Sequence, residues 1–339
     1  SLGITAIAAV ATLLVAQDSA PKPAQPKAKA KAAPAKPKAN AKKKAPTLLA
    51  AAALKGEPLV LRDEKLQRDF SAAAADADGT IWIAYLENDA EAHEQANADT
   101  LWLAKQTDAG IEPVSAISAP GIIHQPAITV GGDGVVWCAW GQTSPDDVMQ
   151  LKARPIADGE PGKIITLAES AGSESFADAG TDHAGRVWVT WQSFRAGEGD
   201  IFARWFDPEN GWSDEIAVAT DKGGDWEPRI AFDGIGGDAW IVYDSSRGNE
   251  FNLYLARVKL DGSVETKPIA HTPRYEARAD LCASADGEGF WIAAERGRIR
   301  WGLDVRGHGN DKGINAQKEV LFGYFDVKSG EFTEIPPGP

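Results

Sequence analysis

Basic chemistry is concentrated in one stretch, Arg296-Gly-Arg298-Ile-Arg300-Trp301-Gly302-Leu-Asp304-Val-Arg306-Gly307-His308-Gly309. Arginine forks grip carboxylates and sulfates through paired hydrogen bonds, and an indole adds a stacking face. Long loops without secondary structure of their own are commonly functional. Arg298, Arg300, Trp301, Arg306 and His308 are therefore candidate ligand contacts, with a plain surface insertion as the alternative. A second set, Glu227 and Glu276 with Tyr275 and Arg278, offers the carboxylate pair that glycosidases use, although sequence spacing leaves the separation of the two acids open. Trp226 joins the candidate binders. So do Arg195 and Arg247, which follow Ser193 and Ser245 at the same offset. That recurrence suggests either a structural bond across a turn or ligand contact.

Familiar catalytic signatures are missing. His93-Glu94-Gln-Ala-Asn97 starts like a zinc-protease helix, but Asn97 stands where the second histidine ligand belongs. Gly234-Ile-Gly236-Gly237 echoes a dinucleotide loop, yet it opens onto a strand rather than a helix. There is no Gly-x-Ser-x-Gly and no phosphate-binding loop. No metal site and no cofactor are expected. Cys138 and Cys282 lie in apolar strands of nonconsecutive units, so two buried free thiols are expected rather than a disulfide.

The elements that must carry these residues are repeats. A Trp recurs three residues before a second position that is aromatic in four of five cases: Trp82-Ile-Ala-Tyr85, Trp137-Cys-Ala-Trp140, Trp188-Val-Thr-Trp191, Trp240-Ile-Val-Tyr243 and Trp291-Ile-Ala-Ala294. The spacings are 55, 51, 52 and 51 residues, and a fixed period marks a repeat architecture. Before the Trp comes a turn of the type Asp76-Ala-Asp78-Gly79, Asp182-His-Ala-Gly185 or Asp286-Gly-Glu-Gly289. Asp bonds its own backbone and Gly accepts positive φ, which is hairpin chemistry. Each unit reads as four short antiparallel strands, so the fold class is all-β, a β-propeller with five repeats and five or six blades. The tryptophans are expected to fill wedges between blades rather than to stack on sugars. Glu57-Pro-Leu-Val-Leu61 reads as a strand that closes the ring on the last blade, in competition with Gly330–Ile335.

Trp188-Val-Thr-Trp191-Gln-Ser193-Phe-Arg195-Ala-Gly197-Glu-Gly199-Asp200-Ile-Phe-Ala-Arg204, with Trp240-Ile-Val-Tyr243-Asp244-Ser245-Ser-Arg247-Gly248-Asn249 at an offset of 52, resembles exported bacterial propeller repeats of the TolB-like and sialidase-like type. The sialidase Asp-box itself does not match well. The resemblance is at the level of the repeat. It implies the fold, and binding of proteins or glycans as a common role, but hardly an activity.

Charge divides the chain into three. The formal net charge of −14 combines a nearly uncharged start, nine lysines within residues 21–47, and 26 basic against 48 acidic side chains in 48–339, a net of −22 there. An acidic body repels phosphate backbones, so nucleic acid is not an expected partner. Ile4–Ala16 suits the apolar core of a secretory signal within residues 1–20, with its start truncated, or else an anchor. Residues 21–47, almost only Pro, Lys and Ala, read as a disordered spacer near a membrane or cell wall. The domain reading is thus signal or anchor over 1–20, linker over 21–47 and propeller over 48–339. The expected function is a non-catalytic, exported, monomeric propeller that binds a protein or polysaccharide through its loop face. The alternatives are a glycan-active enzyme, glycosidase or lyase, and the propeller half of a longer enzyme.

Overall fold

The structure is a computed structural model that describes residues 66–89, 99–234, 237–247, 250–299 and 318–336. These residues form five antiparallel sheets that follow one another along the chain. The first holds β1 (Leu66–Ala75), β2 (Ile81–Asp89), β3 (Asp99–Thr107) and β4 (Gly110–Ala116). The second holds β5 (Ile123–Val130), β6 (Val136–Thr143), β7 (Met149–Ala157) and an outer strand split into β8 (Glu160–Pro161) and β9 (Ile165–Ala168). The third repeats that plan with β10 (Glu174–Thr181), β11 (Val187–Ser193), β12 (Asp200–Asp207), β13 (Gly211–Trp212) and β14 (Ile216–Ala219). The fourth holds β15 (Asp225–Phe232), β16 (Ala239–Ser245), β17 (Asn252–Val258) and β18 (Val264–Ala270). The fifth holds β19 (Arg274–Ala283), β20 (Gly289–Ile299), β21 (Glu319–Asp326) and β22 (Glu331–Glu334). Each sheet meanders from its first strand outward, and the first strands of all five line one cavity. This plan is that of a β-propeller, with five blades among the described residues.

In the first, third and fourth blades a repeated Asp and Trp explain the first hairpin. The Asp76 carboxylate accepts the turn N–H groups of Asp78 and Thr80 at 3.0 and 2.9 Å, and the Trp82 indole N–H at 3.1 Å. Asp182 does the same for Ala184, Arg186 and Trp188, and Asp233 holds Trp240 at 2.8 Å. One carboxylate thus closes the hairpin and satisfies an indole that would otherwise be buried without a partner.

The core consists of the wedges between blades. Strand alternation sends Trp188 toward the fourth blade and Trp191, three residues on, toward the second. Trp137 packs into the wedge between the second and third blades, and Trp240 into that between the fourth and fifth. Four apolar clusters join successive blades, and among the described residues none joins the fifth to the first. On the face of the fifth blade that turns away from the fourth, Trp291 is only half-buried and stacks on Phe322 at 5.6 Å. Cys282 shares that face. The expectation of two buried thiols is therefore corrected: both cysteines are free, but only Cys138 is buried and Cys282 is exposed. Its neighbours Leu281 and Ala279 take the blade-to-blade side of β19 instead. The proposed signal, linker and ring-closing strand at 57–61 lie outside the described residues.

Candidate functional site

All five first strands carry a β-bulge at the same point. The register breaks between Asp69 and Ala72, His124 and Ala127, Ser175 and Asp178, Trp226 and Arg229, and Ala277 and Asp280. Four of the bulged residues occupy the left-handed region: Phe70 at φ 46°, Phe176 at 51°, Glu227 at 47° and Arg278 at 54°. That region is unfavourable for a residue with a Cβ, by about 1–3 kcal/mol. Bulges re-aim side chains beside functional sites. Four strained residues at one recurring position mark this point of the ring.

A bulge also takes N–H groups off the ladder, and here the neighbouring blade supplies acceptors. The N–H of Glu227 donates to Gln192 Oε1 on β11 at 3.1 Å, and that of Arg278 donates to Asp244 Oδ1 on β16 at 3.1 Å. Gln192 and Asp244 occupy equivalent positions, each directly after the second conserved aromatic of its repeat. Asp178 adds a third link, accepting the Ile230 N–H through Oδ2 at 2.8 Å.

The bulges surround a cavity of about 330 Å³ on the axis, lined from all five blades. Phe70, Ser71, Gln125 and Pro126 contribute from the first two blades, and Asp178, Arg229 and Asp280 from the other three. Burial pushes the Asp178 carboxyl up and Asp280 adds to this, while Arg229 opposes. Next to Phe70 the first three blades carry an aromatic group: His124 lies between Phe70 and Phe176, with ring centroids 6.4 and 4.7 Å away. Burial holds the His124 imidazole below its ordinary pKa.

The bulges of the fourth and fifth blades carry charge. Arg278 Nε lies 3.7 Å from Glu227, and its Nη1 lies 3.7 Å from Glu295, which Lys318 also pairs. At 3.7 Å these are ion pairs without hydrogen bonds. Arg278 and Glu227 therefore present a guanidinium and a carboxylate, each part-exposed, with hydrogen-bonding capacity to spare. Asp244 behind them is buried. Burial first, then the charge of Glu227, pushes its carboxyl well above the usual range, and the N–H and guanidinium of Arg278 offset this only in part. Tyr275 is raised by burial and by Asp244, Glu295 and Glu227.

Three of the four candidate catalytic residues, Glu227, Tyr275 and Arg278, thus share one cluster. Glu276 does not. It is fully buried, accepts Arg296 Nε at 3.0 Å and Thr272 Oγ1 at 2.8 Å, and ties the end of β19 to β20. Glu174 is its counterpart two blades earlier, held by Trp191 Nε1 at 2.7 Å, Ser193 Oγ at 3.1 Å and Arg195 Nη2 at 3.2 Å. Arg195 also donates to Ser193 at 2.8 Å and Glu215 at 2.6 Å, and Arg247 pairs with Asp221 and Asp225. In the third blade the serine and arginine are thus parts of a rivet around a buried acid, and in the fourth Arg247 keeps its pairing with the buried Asp225. Trp226 packs edge-on against Phe194 at 5.7 Å, and Arg298 is exposed near the end of β20. Arg300, Trp301, Arg306 and His308 lie outside the described residues.

Sequence reasoning reached Asp244 only as a loop residue and missed the axial roles of Phe70, Phe176, Asp178, Gln192, Arg229 and Asp280. The available signal was the offset itself: Phe176, Glu227 and Arg278 are spaced by 51 residues, as are Glu174, Asp225 and Glu276. Among the described residues no group of three or more His, Cys, Asp or Glu is placed to hold a metal ion.

No protein-family model matches the chain, and no curated protein does. Solved structures do resemble it. A protein of unknown function from Dyadobacter fermentans is similar over 81% of this chain and 95% of its own, with a TM-score of 0.52 at 13% identity. The periplasmic gluconolactonase PpgL of Pseudomonas aeruginosa is similar over 79% of this chain and 71% of its own, with a TM-score of 0.54 at 14% identity. At such identities the likeness concerns the fold, and the chain is a β-propeller.

Proposed function

We propose that this propeller is an exported binding protein that takes a polyhydroxylated ligand, such as a polysaccharide unit, in its axial depression. One observation carries the reading: around an axial cavity lined by Phe70, Asp178, Arg229 and Asp280, the bulged strands add an aromatic group, Phe70, His124 and Phe176, on the first three blades and the pair Glu227 and Arg278, with hydrogen-bonding capacity to spare, on the other two. Carbohydrates match that division. Their C–H faces pack on rings, while vicinal hydroxyls donate to a carboxylate and accept from a guanidinium. Small-ligand sites are typically concave, largely apolar and equipped with a few polar groups that fix orientation. The acidic body and the Lys/Pro/Ala segment fit display at a cell envelope, with the resemblance to exported TolB-like and sialidase-like repeats as further support. Binding without turnover is the preferred reading. Titration of the protein against a panel of neutral and acidic oligosaccharides tests it, with Glu227→Gln and Arg278→Gln as controls.

A second reading has its own observation. Burial and the neighbouring Glu227 push the Asp244 carboxyl well above its usual range, and two acids side by side in unlike environments are an arrangement used for acid–base chemistry. Release of reducing sugar or product from the same panel would favour this enzymatic reading over binding alone.

A further inference from the structure

The fourth blade carries an imperfect copy of the network that seals the third. In the third blade Glu174 fills both carboxylate oxygens with Trp191, Ser193, Arg195 and Ser170, and Arg195 lies 4.1 Å over the Phe202 ring. At the same repeat positions the fourth blade has Asp225, Tyr243, Ser245, Arg247 and Tyr254, with Asn252 in place of Asp200. The frame is kept. Arg247 lies 4.5 Å over the Tyr254 ring, and Tyr254 stacks on Tyr243 at 5.8 Å, as Phe202 stacks on Trp191 at 6.0 Å. The contents are not. Asp225 is one methylene shorter than Glu174, and Tyr243 has no ring N–H to offer it.

The consequence is a cluster of buried polar atoms with hydrogen-bonding capacity left over: Asp225 Oδ2, Ser245 Oγ beside that carboxylate, Arg247 Nε and both amide atoms of Asn252. Asp225 and Ser245 are fully buried and Asn252 is 1% exposed. Gln192 Nε2 is also without a hydrogen-bond partner. A Cβ on Gly199 would lie 2.7 Å from the Asp225 carbonyl, 3.3 Å from Gln192 Nε2 and 3.4 Å from the Trp226 ring, so these groups converge where only glycine fits. Each orphaned group costs about 1–3 kcal/mol, and folded proteins leave few of them.

We infer that this polar cluster in the fourth blade is a built hydration site that holds two ordered water molecules. The two truncations, Glu to Asp and Trp to Tyr, each free roughly the volume of one water, about 30 Å³, and a buried water needs about three polar partners. The orphaned donors and acceptors suffice for two. The site also reaches the axis. Gln192 holds the strained Glu227 N–H through Oε1, so a water on Nε2 fixes the orientation of that amide. This inference does not depend on what the axial depression binds.

A crystal structure of the protein at a resolution that shows waters, paired with thermal melts of Asp225→Glu and of Asp225→Glu with Tyr243→Trp, tests it. Two water peaks are expected within hydrogen-bond distance of the named atoms. The double variant, which rebuilds the third-blade network, should displace them and raise Tm by about 2–4 °C. The single variant should displace one water and fold as the parent does. Direct pairing of Asn252 with Asp225 and no water between them would overturn the inference. So would a metal ion at the site, or a single variant that keeps both waters.

Discussion

Asp244 of the fourth blade accepts the main-chain N–H of Arg278 in the fifth, 3.1 Å away, and so pins a left-handed residue from across a blade boundary. The contact joins the packing of two blades to the aim of one side chain. Gln192 and Glu227 repeat it one blade earlier. The axial bulges are therefore held by residues of the neighbouring blade that do not line the cavity.

Asp244 sets a pH signature. Its carboxyl is raised in the folded chain, so folding takes up a proton between the ordinary aspartate pKa, about 3.9, and the raised value. Stability should fall as pH rises through that window. Asp244→Asn keeps an oxygen for the Arg278 N–H and removes the titration. We expect it to be more stable than the parent at pH 8 by about 1–2 kcal/mol, and equal to it near pH 3. Urea melts at the two pH values check this; a variant weaker at pH 8 would show that the buried group is an anion.

The strain at Arg278 predicts an unusual ranking. Glycine accepts φ 54° without penalty, so Arg278→Gly should be more stable than Arg278→Ala by about 1 kcal/mol. Both should lose ligand affinity equally. A protein in which alanine is the better tolerated residue would not carry strain there.

Glu276 and Glu227 should separate cleanly. Glu276→Ala leaves the largely buried Arg296 without its buried partner and should cost about 3 kcal/mol. Glu227→Gln is part-exposed and makes no side-chain hydrogen bond, so its effect on Tm should be within about 2 °C. Differential scanning calorimetry of the two variants distinguishes a rivet from a ligand group.

How much of this was legible in the sequence follows from which residue types the physics demands. The blades were, because a hairpin turn needs Asp and Gly and a wedge needs a large flat side chain, so Asp182 and Trp188 recur with their neighbours. The axial site was not, because a bulge tolerates any residue whose strain the neighbouring blade offsets. Phe176, Glu227 and Arg278 share a backbone shape but no chemistry, and only their common offset betrays them. The rivets were half-visible. Ser193 and Arg195 showed as a repeated pair, while their partner Glu174 lies 19 residues before Ser193 and meets it only through strand pairing. The exposure of Cys282 depends on the absence, among the described residues, of an apolar cluster beyond the fifth blade, which its apolar neighbours did not announce.

Isothermal titration of the parent protein and of the Glu227→Gln, Arg278→Gln double variant with soluble oligosaccharides tests the central claim most directly. Loss of one charged hydrogen-bonding pair should weaken binding at least tenfold, or about 1.4 kcal/mol, with Tm nearly unchanged. Equal affinity in the two proteins, or no binding of any oligosaccharide by the parent, would contradict an axial carbohydrate site.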